Sequence, residues 1–120
     1  MALESAKRNV KLNQFEESRC SWHHGDVFSH VRQLREEGKR FDIIVVDPPK
    51  LAPTVASVER AARAYKDVNL LSMQLLKQGG YLATFSCSGG VSMDLFRKII
   101  AGSAADADGS YQVFLTVLPE

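Results

Sequence analysis

The feature that most constrains the fold is a short apolar run that ends in an acidic residue and two prolines. Ile43 to Val46 are all β-branched, and the run is too short for a typical helix, so it predicts a strand buried on both faces of a parallel sheet. Asp47 ends the run at the carboxyl end of the strand, where open α/β sheets place their ligand crevice. Pro48 and Pro49 forbid helix and ladder pairing and hold Asp47 extended. The spacing fits a presented functional carboxylate and a plain strand end before a turn equally well.

Length, net charge and cysteine content restrict the classes of protein to which the chain can belong. With 120 residues, the chain is one small domain or part of one, and a formal net charge of +1 gives no field from which nucleic-acid binding can be inferred. The two cysteines have neither metal-ligand spacing nor a disulfide framework. We find no secretory leader and no apolar run near the roughly 20 residues that span a bilayer, so we expect a cytoplasmic protein without a membrane partner.

Helical and strand patterns alternate along the chain. The patterns that predict helices cover Leu3–Leu12, Val27–Glu37, Val55–Gln78 and a segment through Leu95, Ile99 and Ile100 that Ser92 or Asp94 can cap. The patterns that predict strands cover Arg19–His24, Phe41–Asp47, Tyr81–Ser86 and Tyr111–Leu118, and the last of these has the pattern of an edge strand. This alternation predicts an α/β fold with a mainly parallel sheet and right-handed crossovers.

Glycine and small-residue segments predict the breaks between these elements. Gly38 is expected to end the second helix and Gly79-Gly80 the third. The small and acidic residues of Ala104–Ser110 are expected to form a linker before the last strand.

Three residues that can carry chemistry lie directly after predicted strands. They are Asp26, Asp47 and Cys87. Because the carboxyl ends of parallel strands meet at one edge of a sheet, the order of elements predicts that these three residues share one site.

Asp26 and Cys87 each have a second interpretation. Asp26 precedes a helix, so it can accept hydrogen bonds from an adenine ring or simply cap that helix, and spacing alone favours the cap. Cys87 can be a small buried hydrophobe, but it lies past the apolar run, beside small residues and near the start of the next helix, where a thiol pKa is lowered. Cys20, at the start of its predicted strand, has the structural interpretation.

The two adjacent histidines do not predict a metal site. Neighbouring residues on a strand point to opposite faces, so His23 and His24 cannot chelate one ion, and no third ligand is near them in sequence.

Three segments carry a resemblance to a known family. They are Asp47-Pro48-Pro49-Lys50, Ala64-Tyr65-Lys66-Asp67-Val68-Asn69, and Gly79 to Ser88 with its Ser86-Cys87-Ser88 tip. Together they resemble the large-subunit ribosomal RNA 5-methylcytosine methyltransferases, and the similarity runs from the helix around Ala6 to about Ala107. The resemblance implies a Rossmann-like three-layer α/β/α fold of class I, S-adenosylmethionine as cofactor, and ribosomal RNA as partner and substrate.

The resemblance assigns cofactor contacts position by position. It implies that Asp26 contacts the adenine and that the backbone amide of Val27 assists. Asp47 and Pro48 would lie beside the methionine portion of the cofactor and the target base.

The resemblance also assigns the catalytic and substrate-binding residues. Cys87 would be the nucleophile and Asp47 would assist it, with Pro49, Lys50 and Ser86 against the substrate. Carbon 5 of cytosine is a poor nucleophile, so a thiolate adds to carbon 6 and makes carbon 5 reactive toward a methyl group. A base then removes the carbon 5 proton and the thiol leaves, while Asp47, when protonated or sharing a proton with the ring, would stabilise charge at the N3 edge. The base must first be unstacked to reach such a pocket.

The chain lacks features that class I methyltransferases place before this region. A first strand with a Gly-rich turn, and a second strand ending in an acidic residue, are not found in residues 1–120, which therefore resemble part of a catalytic domain. In the family's sheet these two strands separate Arg19–His24 from Phe41–Asp47. We expect weak or no cofactor binding by this chain alone, and a homodimer, a strand-swapped association or a rearranged sheet.

Two other functions remain open from the sequence. Amino-group methyltransferases of the diproline type receive the amine beside the prolines, but they usually carry an aromatic residue where this chain has Lys50, and they need no thiol. A catalytically inactive excised domain would keep the fold and bind neither cofactor nor RNA.

Overall fold

Helices alternate with strands in the computed structural model of the chain. The structure describes residues 2–49, 58–86 and 90–107, and the backbone alone of residues 112–117. The helices are α1 (Ala2–Leu12), α2 (Val27–Glu36), α3 (Val58–Gln74) and α4 (Met93–Ala107), with a short 3₁₀ turn at Glu17–Arg19. The strands are β1 (Phe41–Val46), β2 (Leu76–Ser86) and β3 (Gln112–Val117).

The strands form one parallel sheet in the order β1-β2-β3. Ile43 of β1 lies opposite Tyr81 of β2, and Tyr81 lies opposite Gln112 of β3. α3 connects β1 to β2, and α4 precedes β3, so the predicted α/β class and parallel pairing are confirmed. The fold is consistent with part of a Rossmann-like domain, and β3 occupies the edge position expected for the last strand.

A helical layer covers one face of this sheet. α3 packs against β1, β2, α2 and α4, and it carries the buried residues Tyr65 and Val68 that face the sheet. The core is completed by apolar side chains of the strands and α4, including Val46, Leu82 and Phe96. Burial of such side chains, at about 25 cal/mol per Å² of apolar area, is what holds the two layers together.

The prediction that β1 is buried on both faces was wrong. Ile44 and Val46 face the helices, whereas Ile43 and Val45 remain 66% and 63% exposed. Side chains alternate across a strand, and among the described residues no second helical layer covers the face that carries Ile43 and Val45. Tyr81, the β2 neighbour of Ile43, is 46% exposed on the same outer face.

The strand predicted at Arg19–His24 does not form. Residues Glu17–Arg19 make a 3₁₀ turn and Cys20 to His24 are irregular. A strand needs a ladder partner, and this segment does not pair with β1, whose outer edge is open among the described residues. The expected closing of that edge by dimerisation or strand exchange stays a prediction.

The glycine pair expected to end the third helix lies inside β2 instead. α3 ends at Gln74, and β2 already begins at Leu76. The pairing register shifts between Phe41 and Ile43, because Gly79, at φ +77°, lets the chain bulge out of the ladder. The residues predicted at the start of this helix, 55–57, lie outside the described residues.

α4 is longer than predicted, since residues 104–107 of the expected linker are helical. Two contacts fix this last turn against α3. The Ser103 hydroxyl donates to the Lys66 carbonyl oxygen at 3.2 Å, and Lys66 pairs with Asp106 at 2.9 Å. At the other end of α4, the Ser92 hydroxyl accepts from the Leu95 amide at 3.1 Å, which confirms Ser92 as the cap.

The two amino-terminal helices match their predicted positions but differ in packing. α1 forms as expected, yet none of its residues is buried and its main neighbour is the 3₁₀ turn. α2 ends as expected before Gly38, whose φ is +75°. Among the described residues, no helix is long and apolar enough to cross a membrane.

We predict that Gly80→Ala destabilises the fold by about 1–3 kcal/mol. A Cβ at this position would lie 2.9 Å from the Lys77 carbonyl oxygen and 3.1 Å from that of Asp42, and neither backbone can easily move. Gly102→Ala in α4 is the matched control, because a Cβ there meets nothing within 4 Å, and it should stabilise by about 0.5–1 kcal/mol. Urea unfolding followed by circular dichroism measures both changes. Equal stability of the two variants would contradict the close backbone packing at Gly80.

Candidate functional site

A cavity of about 590 Å³ opens at the carboxyl end of β1. Its walls come from the turn before α2, the tip of β1 and the inner side of α3. Among the lining residues are Gly25, Asp26, Val27, Phe28, Val45, Val46, Asp47, Pro48, Pro49, Ala64, Val68 and Ser72. The structure therefore brings together the tips of Arg19–His24 and β1, as the order of elements predicts, although the first segment is not a strand.

Asp26 caps α2 at the rim of this cavity. Its carboxylate accepts from the Ser29 amide at 3.1 Å and from the Ser29 hydroxyl at 2.7 Å. These hydrogen bonds, the one from the hydroxyl first, hold the pKa of the Asp26 carboxyl below its ordinary value, so it is ionised at neutral pH. The cap interpretation is confirmed, and the contact with an adenine ring stays a prediction.

Asp47 lies where the diproline directs it. Val46, the last residue of β1, is 7% exposed and packs in the core. Asp47 follows it and is exposed at the cavity mouth. Pro48 is half-buried and Pro49 exposed, and both line the same cavity. Because each proline fixes its φ, the backbone that carries the carboxylate is held in place, and no described side chain contributes to this.

The remaining walls are mostly apolar. Val27 and Val45 are more than half exposed, and Phe28, Val31 and Ile44 are half-buried around the same space. An apolar slot with a few polar groups is the usual composition of a small-molecule site. Here the polar groups include two carboxylates, so the cavity suits a ligand with a flat apolar part and positive charge.

A chain of buried polar side chains supports the tip of β2. The Thr84 hydroxyl donates to Asn69 Oδ1 at 2.6 Å, and Asn69 Nδ2 donates to the Tyr65 carbonyl oxygen at 2.8 Å. The Ser86 hydroxyl donates to the Tyr65 hydroxyl at 3.1 Å. All four residues are fully buried, and the Tyr65 ring meets Phe96 edge-on at 5.6 Å. This chain, which we call the α3–β2 network, fixes β2 against α3 one residue before Cys87.

The α3–β2 network was not predicted from the sequence. The sequence places Tyr65 on the apolar face of the predicted third helix and both Tyr65 and Asn69 in a segment of the resemblance, but it indicates no contact with β2. The available signal was Asn69, a polar residue beside the apolar stripe of α3, since a buried amide needs partners and Thr84 is one.

The other predicted residues are placed as follows. Cys87 and Lys50 lie outside the described residues. Ser86 is described, and its side chain is fully buried against Tyr65, so its predicted contact with substrate stays a prediction. Within the described residues, no cluster of three metal-ligating side chains occurs, and His23 and His30 stack on one another instead.

The chain is similar in sequence to bacterial ribosomal RNA methyltransferases. Over 113 residues, 94% of the chain, it is 48% identical to "Ribosomal RNA large subunit methyltransferase I" of Pseudoalteromonas atlantica. It is 47% identical over 112 residues to the protein of that name in Shewanella denitrificans, and 47% identical over 111 residues to the one in Cronobacter sakazakii. The matched region is 28–29% of these relatives, so the chain spans less than a third of their length. No protein-family model matches the chain.

We predict that Thr84→Val lowers the free energy of unfolding by about 1–3 kcal/mol. The change keeps the shape of the side chain but leaves Asn69 Oδ1 buried without its donor. Ser72→Ala is the control, because the Ser72 hydroxyl donates only to the Val68 carbonyl oxygen of its own helix, and its loss should change stability little. Chemical denaturation of both variants checks this, and a Thr84→Val protein as stable as Ser72→Ala would contradict it.

Proposed function

We propose that this chain is part of an S-adenosylmethionine-dependent methyltransferase that acts on large-subunit ribosomal RNA. The observation that carries the proposal is the cavity at the tip of β1. It gathers Asp26, Val27, Asp47 and Pro48, the residues predicted to bind the cofactor. The similarity to rRNA methyltransferases over 94% of the chain supports the same function.

The residues of the cavity fit this cofactor. S-adenosylmethionine has an adenine ring and a positively charged sulfonium, and it supplies a methyl group when bound. The apolar side chains of Val27, Phe28 and Ile44 suit the ring, and the two carboxylates suit its amine and the positive charge. No described cation lines the cavity, so nothing there repels the sulfonium.

Each residue has a defined part in this proposal. Asp26, whose pKa is lowered by its hydrogen bonds from Ser29, presents a carboxylate acceptor at the adenine end. Asp47, held by the two prolines, lies at the methyl-donor end and beside the target base. Pro48 and Pro49 restrict the backbone that carries this carboxylate, so it is positioned before the ligand binds.

The finer proposal is that the target is carbon 5 of a cytosine and that Cys87 is the nucleophile. Cys87 follows Ser86, the last residue of β2, and β2 lies beside β1 in parallel register. The thiolate adds to carbon 6 and makes carbon 5 nucleophilic. After carbon 5 has been methylated, a base removes its proton and the bond between sulfur and carbon 6 breaks, so the thiol is regenerated.

The alternative is methylation of an amino group. Lys50 rather than an aromatic residue follows the prolines, which disfavours this reaction because no ring is supplied there for a base to stack on. Amino nitrogens are nucleophilic without covalent activation, so the alternative makes Cys87 dispensable.

We predict that the purified protein forms a covalent complex with large-subunit rRNA fragments that contain 5-fluorocytosine when S-adenosylmethionine is in large excess, which offsets the weak cofactor binding expected of this chain. Fluorine cannot leave as a proton does, so the bond between sulfur and carbon 6 persists. Cys87→Ser should abolish the complex, and Cys20→Ser is the matched control that should retain it. Gel electrophoresis under denaturing conditions measures the complex.

Other outcomes of the trapping experiment separate the alternatives. Methyl incorporation that survives Cys87→Ser would support amino-group methylation. Neither adduct nor methyl transfer by the wild-type protein would support the inactive domain.

We predict that Asp47→Asn weakens binding of S-adenosylmethionine about two- to fivefold and leaves binding of 5′-methylthioadenosine unchanged. The second ligand has the same adenosine part but no positive charge, so it isolates the electrostatic contribution of the carboxylate. Calorimetric or NMR titration measures both affinities. Equal losses for the two ligands would show that Asp47 acts through structure rather than charge.

From the sequence we expect wild-type affinity weaker than micromolar, and a micromolar value would contradict that expectation.

A further inference from the structure

The segment that brings Asp26 to the cavity has no regular structure of its own. Residues 20–25 form neither helix nor strand, and they end in the turn Gly25-Asp26 that lines the cavity. Two contacts hold the end of this segment to α2. One is the Asp26 cap on Ser29, and the other is a stack between the rings of His23 and His30.

The histidine stack is close and nearly parallel. The ring centroids of His23 and His30 are 3.7 Å apart, and the ring planes differ by 10°. His30 lies in the first turn of α2, where its amide donates to the Asp26 carbonyl oxygen at 3.1 Å. His30 therefore contacts the turn at residues 23–26 twice, through its ring on His23 and through its amide on Asp26.

Gly25 leaves the space that this stack requires. A Cβ at Gly25 would lie 3.2 Å from Nε2 of His23, tighter than ordinary van der Waals contact. The His23 ring thus packs over the backbone of the residue that precedes Asp26. A side chain at position 25 would push the ring away from His30.

The His30 ring stacks on His23 but leaves one of its own nitrogens without a hydrogen bond from the described residues. Its Nδ1 is buried and has no hydrogen-bond partner among the described residues. Buried polar atoms are usually satisfied, so the orientation of this ring is set by the stack rather than by hydrogen bonding. Rings that stack face to face also cannot direct their nitrogens at one metal ion.

We propose that His23 and His30 are positioning residues, whose stack holds the 23–26 turn so that Asp26 and Val27 form the adenine end of the cofactor cavity. This inference rests on the proposed function for its ligand, but the placement of the turn can be tested without any ligand. Neither histidine lines the cavity, so both act through Asp26 and Val27.

The first experiment measures the turn in the ligand-free protein. Amide hydrogen exchange at Ser29 reports the opening of the Asp26 cap. His30→Ala should raise this rate about three- to tenfold, the factor expected for loss of one ring stack. His24→Ala is the matched control, since His24 is an exposed neighbour outside the stack, and it should leave the rate unchanged.

His30→Phe separates stacking from any role of the ring nitrogens. Phenylalanine keeps a flat ring and removes the unsatisfied Nδ1, so this variant should exchange like wild type and melt at the same or a higher temperature. If His30→Phe exchanges as fast as His30→Ala, or if His30→Ala leaves the rate unchanged, the proposal is overturned.

Two variants guard against a general loss of folding. His23 is exposed, so His23→Ala should leave the melting temperature unchanged while it accelerates exchange at Ser29. Gly25→Ala should act in the same direction by displacing the His23 ring. Faster exchange throughout the core of either variant, rather than at the turn alone, would count against the proposal.

The second experiment tests the link to the ligand with 5′-methylthioadenosine as the probe. His23→Ala and His30→Ala should weaken its binding about three- to tenfold, while His24→Ala and His30→Phe should bind like wild type. No binding by wild type, together with the expected exchange rates, would match the weak or absent cofactor binding expected of this chain alone and leave the stack as the device that positions the turn. Normal binding by His23→Ala and His30→Ala despite faster exchange would overturn the positioning role.

Discussion

The hydrogen bond between Thr84 and Asn69 is the contact on which the arrangement of the site depends. It joins the middle of α3 to β2 inside the core, where the low dielectric strengthens it and where a missing partner would be costly. α3 is the crossover from β1 to β2, so this bond fixes the two strands relative to each other and to the helix above them. The Tyr65–Ser86 contact extends the same constraint to the last residue of β2.

Local signals in the sequence were sufficient where an element carries its own reason to form. The β-branched run of β1, the Asp26 and Ser92 caps and Gly38 all depend on neighbours within a few residues, and the structure has each of them. Elements that need a distant partner were harder to predict. Cys20 to His24 are irregular and pair with no strand among the described residues, and Gly79 lies in a bulge of β2 whose position depends on the pairing with Phe41 and Ile43 of β1.

The site shows the same division between local and tertiary information. The order of elements predicted that Asp26 and Asp47 meet, and the structure brings them to one cavity, although the segment before Asp26 is not a strand of the sheet. The α3–β2 network and the histidine stack could not be found this way. Each joins side chains whose distance is set by packing, as for Thr84 and Asn69, 15 positions apart.

Val45 has a consequence for the thermodynamics of the molecule. This residue projects from the face of the sheet that the described residues leave uncovered, and it also borders the cavity, so the cavity reaches that face of β1. Whatever polypeptide surface packs on that face also forms part of the ligand's surroundings. By linkage, the free energy that a bound ligand adds to this packing equals the free energy that the packing adds to ligand affinity. Packing of a polypeptide surface on this face and ligand binding in the cavity are therefore thermodynamically coupled.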